Sequence, residues 1–364
     1  MPALVVTGAD GLIGSHLCAA FASEGWEVRA LAKPGASCTG AKAAGAALHF
    51  AELDRPEGAL LVAQLAQGVG LVAHAAFPGG GPADRPAALA MVRAACAAAL
   101  AAHAPLLLLS SCAVYGRPRN LPCDEGELKA PVDEAGEARW EVEREAFLFR
   151  RRHGLPLVVL RPALTYGPGQ RRGLAVTLVL AALASRLGRV LFVPRRGPVV
   201  HTVHAEDVAQ AALRVAEAGL SSPALEGRAL NVADDVPLPL EELSKAIADA
   251  TGARAVRLPY SPRPARWLLW LLRRLPQWMF WRPLNARIAR AWLLAFDGKP
   301  PAPPPLLEPE LLEQFSADRY FDTGRLRALG FVARHPSAVE GIRALVWEQR
   351  EVGLLPQAGA RAPR

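Results

Sequence analysis

Short apolar runs alternate with stretches of helical pattern through the first two thirds of the chain. Such runs are typical of strands buried on both faces, and parallel strands need a crossover that a helix usually supplies. The pattern therefore predicts a doubly wound, parallel α/β sheet. Helices are predicted at 11–24, 57–67 and 85–103 and over EAGEARWEVERE at 134–145. The predicted strands are ALVVTG, EVRALA, ALHFAEL, VGLVAHAA, PLLLLSSC, LPLVVLRP and, late in the chain, ALNVAD at 229–234.

Beyond residue 235 this alternation ends. A helix is predicted near 238–251, followed by a segment rich in tryptophan and arginine at 261–296 and by the spacer DGKPPAPPP. Proline is excluded from the interiors of helices and sheets. Residues 166–199 and 236–364 are therefore predicted to form a smaller, mainly helical substrate lobe, and residues 1–165 and 200–235 the sheet domain.

The composition is that of a globular protein, with 51% hydrophobic and 21% charged residues. The net charge of +8 has two readings, an anionic partner such as a lipid surface or nucleic acid, and a plain arginine-rich bias. We expect no nucleic-acid partner. Five scattered cysteines without a CxxC pair favour buried thiols in a reducing compartment. The first residues lack the pattern of a secretory signal, so a cytoplasmic protein is expected.

Three glycines lie at the junction of the first strand and the first helix, in TGADGLIG. Gly8 allows a tight turn, Gly11 lets the main chain approach a pyrophosphate, and Gly14 permits close helix packing. The helix N-terminus supplies amide donors to phosphate groups. This junction predicts a Rossmann-type site for a dinucleotide.

The end of the second strand bears on the choice of dinucleotide. An NAD site usually has an acidic residue there, which accepts hydrogen bonds from the ribose hydroxyls. Here the strand ends in Ala32 and Lys33. A cation without a carboxylate favours the 2′-phosphate of NADP, although Lys33 can equally be a solvated loop residue.

Several further segments follow in a fixed order: HAA at 74–76, SSCAVYG at 110–116, LRPALTYGPG at 160–169, VHAEDVAQA at 203–211 and LNVADD at 230–235. With TGxxGxxG, they resemble the extended short-chain dehydrogenase/reductase family, which contains NAD-dependent epimerases and dehydratases and the 3β-hydroxysteroid dehydrogenase-like enzymes. The long apolar insertion, followed by YFDTGRLRALGF, is most similar to the latter branch. That branch implies a hydrophobic, sterol-like or 3-oxoacyl-like substrate, and relatives imply a possible homodimer.

The resemblance also implies site residues. Ser111 would orient the substrate oxygen, and Tyr115 would line the substrate pocket or, in this chain, supply a proton. Asp207 would brace the sheet edge. His201 and His204 have no third ligand in view, so no metal is expected. The residues assigned to the NAD or NADP site are Gly8, Gly11, Leu12, Ile13, Gly14, Lys33, Glu52, Leu53, Ala75, Ala76 and Tyr166.

In the family a tyrosine exchanges the hydroxyl proton, and a lysine four residues later lowers the pKa of that tyrosine and holds the nicotinamide ribose. Counting back from Arg161 places Ala135 at the tyrosine and Arg139 at the lysine, with Glu143 next. A shifted register would place Trp140 and Arg144 there. No tyrosine in the chain is followed four residues later by lysine. Arg139 could still bind ribose hydroxyls, and Glu134, Glu137 or water could relay a proton.

The segment 261–296 contains seven arginines, five tryptophans and no acidic residue. Its uncharged runs are too short to span a bilayer. It is predicted to be an amphipathic helix on a membrane surface, a lid over an apolar pocket, or both.

Three functions stay open. The first is an NAD(P)-dependent oxidoreductase that acts on a hydrophobic alcohol or ketone with an atypical proton relay. The second is a catalytically silent dinucleotide-binding protein, and the third is a nucleotide-sugar epimerase or dehydratase.

Overall fold

The structure is a computed structural model that describes residues 1–78, 84–170, 173–275, 278–301, 303–304, 306–307 and 309–357. The chain divides into two compact units. The first contains Met1–Ala163, Ala205–Ala233 and Phe321–Arg334. The second contains Leu164–His204, Asp234–Tyr320 and His335–Arg364. Strands β1–β13 and helices α1–α13 are numbered in chain order.

The first unit is built on a seven-stranded sheet, which confirms the predicted fold class. Every neighbouring pair is parallel, and the strand order is β11-β6-β5-β4-β1-β2-β3. Its strands are β1 Ala3–Thr7, β2 Glu27–Ala32, β3 Ala47–Phe50, β4 Leu71–His74, β5 Leu106–Leu109, β6 Leu157–Pro162 and β11 Ala229–Val232. Its helices are α1 Leu12–Ser23, α2 Thr39–Ala43, α3 Pro56–Leu65, α4 Arg85–Ala101, α5 Glu134–His153, α7 Ala205–Ala218 and α12 Gly324–Arg327.

The central strands are buried along their whole length, as their continuous apolar sequences predict. Alternate residues of these strands, such as Val72, Leu106 and Val159, form one apolar cluster with side chains of α3, α4 and α5. Helix α1 packs against α7. All five cysteines lie in the described part of the chain and are buried free thiols.

Helix α5 carries strong local signals at both ends. The Asp133 side chain caps its start by accepting a hydrogen bond of 2.7 Å from the Gly136 N–H. The first turn contains Glu134 and Glu137, and the last turn is basic. The acidic first turn and the basic last turn both interact favourably with the helix dipole, so the helix is stabilised at each end.

The second unit is mainly helical. Side chains from its helices form one apolar cluster that includes Leu178, Leu243, Ile288, Trp292 and Ile342. Its helices are α6 Leu174–Arg186, α8 Leu240–Thr251, α9 Pro262–Arg274, α10 Trp281–Ala295, α11 Pro309–Gln314 and α13 Ala338–Glu351. Three short strand pairs complete it: β7 Leu164–Tyr166 with β10 Thr202–His204, β8 Val190–Arg195 with β13 Arg254–Pro259, and β9 Val199–Val200 with β12 Leu238–Pro239.

The division differs from the predicted one at residues 321–334, which belong to the first unit. Phe321 pairs with Cys123 in an isolated β-bridge, and Asn231 Nδ2 donates to the Asp322 carbonyl over 3.2 Å. The Arg334 N–H donates to Asp207 Oδ1 over 2.7 Å. These hydrogen bonds to the main chain of the segment hold it in the first unit, and they are not visible in its sequence. Residues 164–165, 200–204 and 234–235, which were predicted in the sheet domain, belong to the second unit.

We predict that His74 makes the protein sensitive to acid. His74 is buried at the end of β4, and its Nδ1 shares a hydrogen bond of 2.7 Å with Thr7 Oγ1. Burial lowers the pKa of His74 to about 4. The unfolded chain therefore binds the extra proton more readily, and stability is lost as the pH falls from the unfolded pKa toward the folded one.

Between about pH 7.5 and about pH 5, the unfolding free energy should fall by about 2 kcal/mol more in the wild type than in His74→Asn. Urea unfolding at both pH values measures this difference. Equal pH dependence in the two proteins would contradict the prediction.

Candidate dinucleotide-binding site

Two glycines of the β1–α1 turn are required by close main-chain contacts. Gly8 has φ +77°, and a Cβ added to it would lie 2.6 Å from the Ala76 Cα. A Cβ added to Gly14 would lie 2.0 Å from the Gly8 carbonyl oxygen. Real Cβ atoms do not approach main chain so closely, so a side chain at either position would displace the turn. The turn and the main chain after β4 are thus in direct contact.

The steric requirement for glycine is weaker at Gly11 than at Gly8 and Gly14. Its φ of −82° suits any residue, but an added Cβ would lie 3.2 Å from the Gly8 carbonyl oxygen, a tight contact that the turn could accommodate only by a small shift. Gly11 is exposed, and Leu12 and Ile13 after it are partly exposed. The missing side chain leaves open the surface in front of the α1 N-terminus.

This surface suits an anion. The N–H groups of the first turn of a helix have no carbonyl partner within the helix, and the helix dipole adds positive potential there. The first turn of α1 contains no acidic residue. The residues present therefore fit a diphosphate bound against bare main chain.

The other residues assigned to the cofactor lie at the carboxyl ends of neighbouring strands. The Ala75 N–H donates to the Thr7 carbonyl over 3.1 Å, which continues the β1–β4 ladder into the HAA segment. Lys33 is exposed directly after β2. Glu52, after β3, is exposed, and its Oε2 lies 3.6 Å from the Arg55 Nε. The Leu53 side chain belongs to the apolar core, so only its main chain could face a ligand.

Arg139 lies one turn of α5 before Glu143, next to the ends of β4 and β5. Its guanidinium stacks on the Phe77 ring at 4.1 Å, and its Nη1 donates to the Ser110 carbonyl over 3.5 Å. Burial lowers the pKa of Arg139 to about 10, so this side chain stays protonated at neutral pH. Phe77 was not identified from the sequence.

Ser111 lies at the carboxyl end of β5 and is partly buried. Its Oγ accepts a hydrogen bond of 3.1 Å from the Ala113 N–H and caps a short 3-10 turn at Cys112–Tyr115. Because a hydroxyl both accepts and donates, this bond leaves the Ser111 hydroxyl able to donate a hydrogen bond of its own.

Below this edge lies a fully buried polar network. The Arg161 Nη2 donates to Glu143 Oε2 over 2.6 Å, and its Nη1 donates to the Tyr115 hydroxyl over 2.8 Å. Tyr115 in turn donates to Asn231 Oδ1 over 2.7 Å. Ser110 Oγ donates to Glu143 Oε1. The network joins α5 to β5, β6 and β11. Charged and polar residues within otherwise apolar strands were its only signal in the sequence.

This network is inconsistent with Tyr115 as a proton donor to a substrate. The side chain is 1% exposed, and its hydroxyl lies between the Arg161 guanidinium and the Asn231 amide oxygen. Burial raises the pKa of Tyr115 well above its usual range. Tyr115 therefore braces the fold.

The α5 register agrees with the count from the LRP motif. Arg139 and Glu143 both bond to Ser110, so this face of α5 is directed at the end of β5. Ala135, one turn earlier on the same face, is partly exposed. Arg144, the alternative, is exposed to solvent. The geometry favours positions 135 and 139.

Tyr166 does not fit the role assigned to it. It belongs to the second unit, where its side chain is fully buried, with its ring 5.2 Å from that of His204. A Cβ added to Gly341 would lie 2.1 Å from the Tyr166 hydroxyl. The side chain is packed in the apolar core of the second unit, so only the Tyr166 main chain could face a ligand. His201 Nε2 lies 2.8 Å from the Asp234 carbonyl oxygen.

Comparison with known proteins gives a family and a fold. The model of the NAD dependent epimerase/dehydratase family matches residues 4–233. No curated protein matches significantly.

Many solved structures share the fold at low identity. UDP-glucose 4-epimerase from Thermotoga maritima, solved with UDP-glucose, has a TM-score of 0.69 at 18% identity over 97% of this chain and 99% of its own. The Thermus thermophilus UDP-glucose 4-epimerase, in complex with NAD, has a TM-score of 0.67 at 21% identity over 96% and 99%. The dTDP-glucose 4,6-dehydratase from Bacillus anthracis, in complex with NAD, has a TM-score of 0.69 at 13% identity over 96% and 97%.

We predict that Tyr115→Phe destabilises the protein by about 1–3 kcal/mol, because it leaves the Asn231 oxygen and an Arg161 N–H without their buried partner. Chemical unfolding measures the loss. Tyr320→Phe, which removes a hydroxyl from a partly exposed ring, is the control and should have little effect. Equal stabilities for Tyr115→Phe and the control would contradict the structural role.

Proposed function

Because the chain belongs to the NAD dependent epimerase/dehydratase family, we propose that it is an NAD(P)-dependent oxidoreductase acting on a hydrophobic alcohol or ketone with an altered proton relay. The single observation that supports cofactor binding is the turn at Gly8–Gly14. Gly8 and Gly14 are required by the fold, whereas the steric requirement at Gly11 is weaker, and Gly11 is exposed in front of the α1 N-terminus. A ligand accounts for that opening.

In this proposal the diphosphate binds the first-turn amides of α1, and the nicotinamide half lies along Ala75 and Ala76 toward Arg139. Arg139 donates N–H groups to the ribose hydroxyls, since its fork has five donors and Ser110 takes one of them. Bound nicotinamide would accept or supply a hydride at C4. The solved epimerase and dehydratase complexes with NAD support a nicotinamide cofactor.

NADP is the proposed preference. Lys33 is exposed where β2 ends, and the strand provides no carboxylate at this position to repel a 2′-phosphate. An exposed ion pair contributes little affinity, so we expect a preference of only about three- to fivefold.

The proposed relay differs from that of the family because position 135 is alanine and position 139 is arginine. Ser111 donates a hydrogen bond from its hydroxyl to the substrate oxygen and orients it, and water supplies the proton that this oxygen takes up. Arg139, with its pKa near 10, remains a cation that cannot act as a base at neutral pH. Loss of general acid-base help costs about 10² to 10⁴ in rate. Slow turnover is the expected behaviour.

A hydrophobic substrate is proposed from the apolar composition of 261–296 and from similarity to the 3β-hydroxysteroid dehydrogenase-like branch. The structural neighbours that bind UDP-glucose or act on dTDP-glucose favour a second candidate, a nucleotide-sugar epimerase or dehydratase. Sterols, 3-oxoacyl compounds, UDP-glucose and dTDP-glucose are therefore the substrate panel. Cofactor binding without turnover on any substrate would instead favour the silent dinucleotide-binding protein.

We predict that the wild type binds NADPH and that Gly11→Ala weakens binding at least about tenfold, because the added methyl group occupies the surface where the diphosphate would lie. The thermal midpoint should fall slightly, since the added Cβ would lie 3.2 Å from the Gly8 carbonyl oxygen and the turn must shift to accommodate it. Titration of NADPH fluorescence measures binding, and a parallel titration with NADH measures preference.

Gly70→Ala is the matched control, because an added Cβ there lies 3.8 Å from its nearest neighbour and far from the turn. Lys33→Ala should reduce NADPH affinity without changing NADH affinity. Equal NADPH affinities for Gly11→Ala and Gly70→Ala would rule out the proposed site.

We further predict that the pair Ala135→Tyr and Arg139→Lys increases the rate of NADPH oxidation with its substrate by at least about tenfold, since it restores a phenol and an amine one helical turn apart. Ala135→Phe with Arg139→Lys is the control, because it lacks only the hydroxyl. The gain should appear in the first pair alone. An equal rate in both pairs, with NADPH still bound, would show that position 135 is not the missing acid.

A further inference from the structure

We propose that the second unit docks on the surface of an anionic phospholipid bilayer through a face that we call the Trp–Arg face. It is formed by helix α9 and the turn at residues 278–280. Its exposed residues are Arg263, Arg266, Trp267, Leu268, Trp270, Arg274, Trp278, Met279 and Phe280.

The apolar part of this face is unusually large for a surface in contact with water. Trp267 is 62% exposed, Trp270 is 49% exposed and Trp278 is 65% exposed. Leu268, Met279 and Phe280 are exposed beside them. Single exposed apolar residues are common on proteins, but six large ones between residues 267 and 280 form a patch typical of an interaction surface.

The tryptophans of 261–296 divide into two groups. Trp281 and Trp292 are 6% and 3% exposed, and Trp292 belongs to the apolar core of the unit. The Trp281 Nε1 donates to the Leu272 carbonyl over 3.3 Å, which holds the turn at 278–280 beside the end of α9. The two buried rings therefore anchor the segment, while Trp267, Trp270 and Trp278 remain exposed to solvent.

The charge of the segment indicates an anionic partner. Its seven arginines are not balanced by any acidic residue between 261 and 296. The Arg274 guanidinium lies 4.1 Å from the Trp270 ring, so cation and indole share one part of the face. Tryptophan at the depth of the headgroups, with arginine side chains reaching phosphates, is the arrangement of a helix lying on an anionic membrane.

Other occupants fit less well. A second copy of the chain would bring two sets of arginines together, which is repulsive. Nucleic acid would satisfy the arginines but would leave Leu268 and Met279 in water. A bilayer surface offers phosphate groups to the arginines and an apolar layer to Leu268 and Met279.

The helix is suited to lie on the membrane rather than to cross it. α9 contains 13 residues, which is about 20 Å of helix and shorter than the hydrocarbon layer of a bilayer. Within the described part of the chain, we find no helix with the length and apolar character of a membrane span. Arg263 and Arg274 near its two ends can both reach the headgroups.

The test uses the full-length protein and vesicles of phosphatidylcholine with or without phosphatidylglycerol. Co-sedimentation and the wavelength of tryptophan emission measure binding. We expect binding to the phosphatidylglycerol vesicles at least about tenfold stronger than to the neutral vesicles, weakened by salt and accompanied by a blue shift.

Two double variants test the face, Trp267→Ser with Trp270→Ser, and Arg266→Glu with Arg274→Glu. Each should weaken binding at least about tenfold. Trp347→Ser with Arg343→Glu on α13 is the matched control, because both side chains are exposed in the same unit outside the face. Thermal midpoints and far-UV circular dichroism establish that each variant is folded.

The proposal is overturned if the wild type fails to sediment with phosphatidylglycerol vesicles, or if the control weakens binding as much as the two face variants. It is also overturned if a single-stranded RNA binds the face more tightly than these vesicles do. The outcome does not depend on the proposed enzymatic function, since no substrate is used.

Discussion

The buried ion pair between Arg161 and Glu143 is the interaction on which the site depends. Both side chains are almost completely removed from water, at 3% and 0% exposure. Two such charges are tolerable only when they are close and fully hydrogen-bonded, because each loses its hydration. Glu143 accepts hydrogen bonds from Arg161 and Ser110, and Arg161 also donates a hydrogen bond to the Tyr115 hydroxyl. The pair fixes α5 against the ends of β5 and β6.

This fixed position of α5 determines which of its side chains lie at the edge of the sheet. With Glu143 held, Arg139 lies one helical turn away, between the Phe77 ring and the Ser110 carbonyl. One turn further is Ala135, where the side chain ends at Cβ. The helix thus presents a permanent cation and a methyl group, and Ser111 offers a hydroxyl. In the proposed site these groups would bind and orient a substrate oxygen, but none of the three is a proton donor of useful acidity.

The sheet and the glycine turn could be predicted from the sequence because they depend on local signals. Continuous apolar strands, the capped α5 helix and the spacing of Gly8, Gly11 and Gly14 all act within a few residues. Leu53 and Tyr166 show the limit of position matching, since each matched a binding position and each side chain packs in a core.

Tyr115 and residues 321–334 depend on partners far away in the chain, such as Asn231 and Cys123, and no local pattern identifies those partners. The exposed tryptophans of α9 and the buried Trp281 and Trp292 are likewise the same residue type in one segment. Whether a tryptophan of this segment is exposed or buried depends on how the folded unit packs.

The decisive measurement is a crystal structure of the protein grown with NADPH. We expect the diphosphate against the main chain of Gly11, Leu12 and Ile13, the Arg139 guanidinium at the nicotinamide ribose, and C4 of the ring facing the open position beside Ala135. An empty turn at saturating NADPH, or a dinucleotide bound elsewhere on the protein, would contradict it.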